Sequence, residues 1–377
     1  MVANLALLLV LQMDINKSRL ENTVRQLSSF ATRNTLSPAC LDAAEWLAGQ
    51  FRAIPNLRVE KMVYRLPKGP RVPEEVDAVQ VVATLPGESE DCIIVGAHMD
   101  SLVIGADPKS GRAPGANDDA TGVAVVLEMA RMLAGKKHRN TVRFVAFTGE
   151  EQGLLGSKAL AKRAKDERWP VIAVINNDTV GSPSEHADKA SKQCVRVFSE
   201  EYLGPAGEPH QSRELARFIE YCSQSVRGFR VRLVYRKDRF GRGGDHSPFV
   251  AEGFNGVRIT ETYEDFPRQH TVEDVADRVD WNYLRNVAKV NFAVLQKLAE
   301  AGPPPTDVRY DPKQSYDTLL RWKGDGEYRV YWRDSASPVW QGSLFVGRAN
   351  EAVVKGVNKD HCVFAVGAEG GIPVPAQ

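Results

Sequence analysis

Through the first three quarters of the chain, short apolar runs alternate with longer stretches of helical periodicity. Residues 92–96 (CIIVG), 141–147 and 171–175 are β-branched runs of strand length, while 122–133 and 154–165 carry apolar residues at helical spacing. Strands alternating with helices predict βαβ units. The expected fold is therefore α/β, with a mostly parallel central sheet covered by helices on both faces. The same reading places a strand at 195–199, a helix at 212–225, a strand at 229–235 and a helix at 283–298.

A break follows at Ala301-Gly302-Pro303-Pro304-Pro305-Thr306, where three consecutive prolines cannot continue a helix and favour an extended connector. Beyond it, β-forming runs at 318–322, 328–332, 344–346 and 362–368 are separated by Gly, Asp, Asn and Ser clusters, the texture of a small all-β sandwich. The expected organisation is a domain over 1–302, a proline-rich linker over 303–306 and a second module over 307–377. The apolar run at 5–11 (LALLLVL) has no basic residue before it and no small-x-small cleavage site after it. It is also far shorter than the ~20 residues of a membrane helix. It reads as an amphipathic helix packed on the body, with no membrane span expected.

Composition narrows the class of protein. With 377 residues, a net charge of +1, 43% hydrophobic and 26% charged residues, the chain can bury a substantial core. The balanced charge argues against a nucleic-acid binder, and five scattered cysteines do not make a disulfide scaffold or a zinc finger.

The candidate chemistry lies at the strand ends, where open α/β sheets bind ligands. The first strand runs into His98-Met99-Asp100, and a carboxylate beside a ligating imidazole can fix its tautomer. Pro114-Gly115-Ala116-Asn117-Asp118-Asp119 opens a helix, so its acidic residues suit an N-cap, a metal, or one of each. The next strands end in Glu150-Glu151 and in Asn176-Asn177-Asp178, and His270 stands in a later loop. Adjacent glutamates suit a helix dipole, or a division between one metal ligand and one free base. Imidazole and carboxylate ligands without cysteine suit zinc, and paired metals suit a bridging carboxylate.

Taken in order, GAHMDS, PGANDDATG, GEEQGLLGS, NNDTVG, GGDHSPF and QHT resemble the motif set of the di-zinc aminopeptidase family, over residues 14–300. That family also contains glutamate carboxypeptidase, glutaminyl cyclase and the non-catalytic transferrin receptor ectodomain. The resemblance implies two Zn²⁺ per chain. His98 and Asp178 would hold one metal, Glu151 and His270 the other, and Asp118 would bridge them. Glu150 would be the general base acting on a metal-bridging water or hydroxide, and Asp100 the partner of His98. Asp245 and His246 fall near the site without being ligands, and Gly244 stands where the family often has Ser.

The implied activity is hydrolysis of the N-terminal peptide bond of peptides with a free N-terminus. Rival readings on the same scaffold are a single-zinc glutaminyl cyclase, a carboxypeptidase and a non-catalytic binding protein. The family also implies a secreted or periplasmic protein, with the cytoplasm as the alternative. The segment after 306 resembles a fibronectin type III module, suited to surface or protein docking or to simple packing.

Other features are given structural readings. Arg227, Arg230, Arg232, Arg236, Arg239 and Arg242 read as a solvated strand face. Phe240, Tyr263 and Phe266 suit either an apolar pocket or ordinary packing, and Cys194 and Cys222 are candidates for pairing. His138, His186, His210 and His361 read as surface or loop residues.

Overall fold

The computed structural model describes residues 14–200, 211–313 and 315–377. The apolar run at 5–11 and His210 lie outside them. The described chain starts with two capped helices. In α1 (Lys17–Ser29) the Asn16 side chain accepts the Arg19 N–H, and in α2 (Pro38–Arg52) Ser37 accepts the Ala39 N–H ahead of a Pro at the first turn. An antiparallel pair follows, β1 (Arg58–Leu66) and β2 (Val76–Leu85). Then come β3 (Ser89–His98), α3 (Thr121–Leu133), β4 (Asn140–Phe147), α4 (Leu155–Asp166) and β5 (Val171–Asn177), the alternation expected from the apolar pattern. The remainder of this part is β6 (Cys194–Phe198), α5 (Ser212–Ser223), β7 (Arg230–Val234), α6 (His246–Ala251), β8 (Gly256–Glu261) and α7 (Trp281–Glu300).

The strands form one eight-stranded sheet in the order β1-β2-β4-β3-β5-β8-β6-β7. Its centre, β4-β3-β5-β8, is parallel, with antiparallel pairings at β2–β4 and β6–β8. A parallel centre needs cover on both faces. On one face α3 is buried almost all round, packed between the sheet, α1 and α7. On the other, Leu160 and Ala161 of α4 and Phe249 of α6 close over Ile94, Val145 and Val174. Each such fully buried aliphatic side chain contributes about 1.5–3 kcal/mol. This burial makes the sheet centre rigid, and β3, β4 and β5 all end on one edge of it.

Past residue 302 the chain builds β9 (Thr306–Tyr310), β10 (Thr318–Lys323), β11 (Tyr328–Asp334), β12 (Gly342–Gly347), β13 (Glu351–Val354), β14 (Cys362–Ala368) and β15 (Val374–Pro375). They form two antiparallel sheets, β13-β10-β9 and β12-β11-β14-β15, around Leu320, Trp322, Val330 and Phe364. The second sheet packs on α5. Tyr221 meets Tyr331 edge-on at 5.2 Å between ring centroids, and its hydroxyl lies 3.0 Å from Ser343 Oγ. The cysteines are free thiols, so Cys194 and Cys222 do not pair. His138 is buried rather than at the surface, because its ring bonds Glu300 at 2.7 Å and the Leu133 carbonyl at 2.7 Å. Among the described residues no helix is long and apolar enough to cross a membrane.

Candidate active site

His98 is the last residue of β3, and its imidazole is buried at the sheet edge. Its Nδ1 lies 3.1 Å from the Asp100 carbonyl oxygen and 3.6 Å from Asp100 Oδ1. The carbonyl, not the carboxylate, is thus the nearer partner. A ring that donates from Nδ1 presents a lone pair at Nε2. That nitrogen is 3.0 Å from Asp118 Oδ1 and 3.9 Å from Asp178 Oδ1.

The Asp100 carboxylate is fully buried and holds the loop after β4. It accepts from Thr35 Oγ1 at 3.1 Å and from the Glu151 N–H at 3.2 Å, with the Glu150 N–H farther off at 3.4 Å. The two glutamates then diverge. Glu151 is buried, with Oε1 3.1 Å from His270 Nε2, whereas Glu150 is partly exposed on the wall of the cleft.

Asp118 and Asp119 also divide their tasks. Asp119 is consumed by backbone: Oδ1 accepts from the Gly122 and Thr179 N–H groups at 3.1 Å each, and Oδ2 from the His98 N–H at 3.3 Å. Asp118 faces the cleft, with Oδ1 on His98 and Oδ2 3.2 Å from His270 Nε2. Two sets of buried ligand atoms come within metal-binding reach of one another, His98/Asp119/Asp178 and Asp118/Glu151/His270. The Asp119 oxygens already accept three N–H groups, whereas Asp118 touches both histidines. All five ligand candidates expected from the sequence therefore meet in one place.

Several further residues hold this arrangement, and two of them, Arg33 and Asp274, had no distinguishing pattern in the sequence. Gly115 is left-handed (φ 51°), and a β-carbon there would come 2.5 Å from the Asp118 carbonyl oxygen. The buried Arg33 guanidinium ties the same turn by donating to the Pro114, Gly115 and Met99 carbonyls. Asp274 accepts the Asn117 and Asp118 N–H groups at 2.7 and 3.0 Å, linking the segment after His270 to the bridging position. Gln269 Nε2 donates to Asp118 Oδ2 at 2.7 Å.

Arg258 on β8 is fully buried and lies 3.0 Å from Asp178 Oδ1 and 3.1 Å from Asp238 Oδ2. It takes the room left by Gly244, where a β-carbon would sit 3.1 Å from Arg258 Cδ. Asp245 and His246 are buried beside the site without joining either ligand set.

Charge accumulates here. Against burial, which alone would lower it, Asp100, Asp118 and Asp178 hold the His98 imidazole well above its ordinary range. His270 is likewise lifted, to about 10, by Asp118 and Glu151 despite burial. Burial raises the Glu150 carboxyl well above the carboxylate range, and Glu151, Asp178 and Asp245 add to the shift. A cluster of carboxylates that facing imidazoles can satisfy only by taking up protons has the electrostatics of a cation site. Two imidazole nitrogens and three carboxylates are also a donor set for zinc.

The cleft has a volume of about 340 Å³. Arg239 and Arg242 belong to its wall, which corrects their reading as a solvated strand face. The strand β7 ends at Val234, and the loop after it is pulled over the site where Asp238 meets Arg258. Arg227, Arg230 and Arg232 do face solvent. Phe240, Tyr263 and Phe266 are 91%, 51% and 58% exposed and lie outside this cleft; Arg236 stacks on Phe240, and Tyr263 and Phe266 line a separate, neighbouring cavity.

The model of peptidase family M28 matches residues 80–295, more than half of the chain and all the site residues above except Arg33 and Thr35. The chain belongs to peptidase family M28. A Leptosphaeria maculans protein named "Probable zinc metalloprotease" is 34% identical, over 95% of this chain and 92% of that protein. Among solved structures, the LapA aminopeptidase of Legionella pneumophila superposes with a TM-score of 0.61 at 22% identity, covering 77% of this chain and 72% of its own. Glutaminyl cyclase from Fimbriiglobus ruber reaches 0.58 at 19% identity, covering 74% of this chain and 94% of its own. These structures share the α/β fold of this chain.

Proposed function

We propose that this M28 protein is a two-zinc aminopeptidase that hydrolyses the N-terminal bond of peptides with a free α-amino group. The observation that carries this reading is Asp118, whose two oxygens lie 3.0 and 3.2 Å from the Nε2 atoms of His98 and His270. Those two histidines belong to different ligand groups, so this carboxylate would be the one shared by two metals. His98, Asp178 and Asp118 would hold one zinc, and Glu151, His270 and Asp118 the other.

Zinc held by these residues would supply Lewis acidity for the scissile carbonyl and for a water that attacks near neutral pH. Glu150 supplies the base. Its carboxylate is on the cleft wall beside both ligand groups and is not engaged with either histidine. It takes the proton from the attacking water and passes it to the departing amine. Asp100 keeps Glu150 and Glu151 in register with His98 through the loop hydrogen bonds described above, acting as a positioning residue. Arg258 holds the Asp178 carboxylate in its charged form against burial.

Paired substrates test this reading. Zinc-reconstituted protein should release the first residue of a free-amine peptide, fail on the N-acetylated version, and lose the activity to a chelator. Equal cleavage of the acetylated peptide would overturn the aminopeptidase assignment, as would cyclisation of N-terminal glutamine without peptide hydrolysis.

A further inference from the structure

The wall of the cleft is polar. Leu154 is its one apolar side chain among the described residues, while Gly153, Gly241 and Gly243 contribute none. A pocket selecting a large aliphatic side chain would be lined mainly by apolar groups. Instead, three arginines border the cleft, Arg71, Arg239 and Arg242.

The three are not equivalent. Arg239 is spent on its neighbours: Nε is 3.1 Å from Asp238 Oδ1, and Nη1 donates to Glu264. Arg71 makes no ion pair among the described residues. Its Nη1 donates to the Glu151 carbonyl at 2.6 Å, which anchors the guanidinium and leaves its other donors unused. Arg242 donates to Gln269 Oε1 at 2.9 Å and lies 5.7 Å from the centre of the Phe266 ring. Its nearest carboxylate, Glu264, is 4.0 Å away and already serves Arg196 at 2.6 Å as well as Arg239.

With two divalent ions bound, the charges of Asp118, Glu150, Glu151 and Asp178 are balanced. Asp238 and Glu264 are outnumbered by Arg239, Arg258 and Arg196, so this set has no carboxylate to spare for Arg71 or Arg242. Arg71 and Arg242 then remain as the surplus charge on the wall. An isolated surface arginine is ordinary and contributes little. Two arginines anchored by a backbone carbonyl or an amide beside one reaction centre form a preorganised receptor for a planar anion.

We propose that Arg71 and Arg242 recognise a carboxylate carried by the substrate close to the scissile bond. This rests on the aminopeptidase reading and deepens it. Three substrate positions present this chemistry: an acidic first side chain, an acidic second side chain, and the terminal carboxylate of a dipeptide.

The test compares acids with their neutral amides: glutamyl- with glutaminyl-p-nitroanilide, Leu-Glu-amide with Leu-Gln-amide, and Leu-Leu with Leu-Leu-amide. At least one pair should favour the acid by about tenfold or more in kcat/KM, the equivalent of one charge-assisted hydrogen bond. The favoured pair identifies the position. Added salt should shrink the ratio, and R71Q with R242Q should bring it close to one. A purely structural role for these arginines would lower both members of a pair together and leave the ratio intact, which would overturn the proposal. Ratios near one in all three pairs would do the same.

Calorimetry on zinc-loaded E150Q gives a readout that needs no turnover, because intact peptides can bind. There the acid of the favoured pair should bind about tenfold more tightly than its amide, and equal affinities in every pair would refute the carboxylate site. If no free-amine peptide is cut while calorimetry still shows the preference, the aminopeptidase reading fails and the carboxylate site stands.

Discussion

Asp100 ties one ligand group to the other, and D100N measures that connection. The carboxylate accepts from Thr35 Oγ1 at 3.1 Å, from the Glu151 N–H at 3.2 Å and, more weakly, from the Glu150 N–H at 3.4 Å, and it is fully buried. Asparagine keeps the shape but offers one acceptor oxygen, so its amide group must face at least one of these donors. With the amide oxygen in the Oδ2 position, the Thr35 and Glu151 bonds lose their charge and the amide nitrogen opposes the Glu150 N–H, which should cost the metal-free protein about 1–3 kcal/mol. The same loss frees the Glu150–Glu151 loop from the end of β3. Zinc affinity should then fall about 10–100-fold, the usual cost of removing a group that orients ligands. Urea unfolding of the metal-free protein gives the first number, and competition with a chromogenic chelator gives the second. T35V should show a smaller loss in both, since it leaves the bonds from Asp100 to Glu150 and Glu151 in place. Wild-type zinc affinity in D100N would refute the claim that Asp100 aligns the two groups.

Two further predictions concern buried charge. R258M leaves Asp178 without its cation at 3.0 Å and Asp238 with Arg239 alone, so the metal-free protein should lose about 3–5 kcal/mol in urea unfolding. Saturating zinc should recover part of that through Asp178, and a loss below about 1 kcal/mol would show the pairing to be unimportant. His246 is buried with Nδ1 unpartnered, and burial holds its pKa down at about 4 although Asp238 opposes the shift. Unfolded chains bind that proton near pH 6.5, so stability is lost as pH falls from 6.5 towards 4. The loss from this residue should be about 2.5 kcal/mol between pH 7 and 4.5. H246Q should flatten the urea-unfolding stability profile in that window by this amount, and an unchanged slope would contradict the assignment.

The parallel core was legible because β3, β4 and β5 are continuous apolar runs, as strands buried on both faces must be. The site was legible for a related reason: those runs stop abruptly at His98, Glu150 and Asp178. The antiparallel β1–β2 pair and β8 left weaker traces. Only one face of β1 is partly buried, and β8 carries Arg258 and Glu261 inside an otherwise apolar strand. Arg33, Asp238, Arg258 and Asp274 read as ordinary charged residues because their partners lie far away in sequence. Arg258 and Asp178 are in contact only because β8 runs beside β5. The cleft arginines were misplaced for the opposite reason. Their alternation continues the β7 pattern beyond Val234, where the strand has already ended.

The account stands on a two-metal centre with Glu150 as a base that holds no metal. The most direct measurement is metal content and turnover on a free-amine peptide, in wild type and E150Q, after zinc loading and removal of excess metal. Two zinc ions per chain in both proteins, with turnover in the variant lower by about 10²–10⁴, is the predicted result. One zinc per chain in the wild type, or an E150Q enzyme that keeps two and turns over normally, would contradict it.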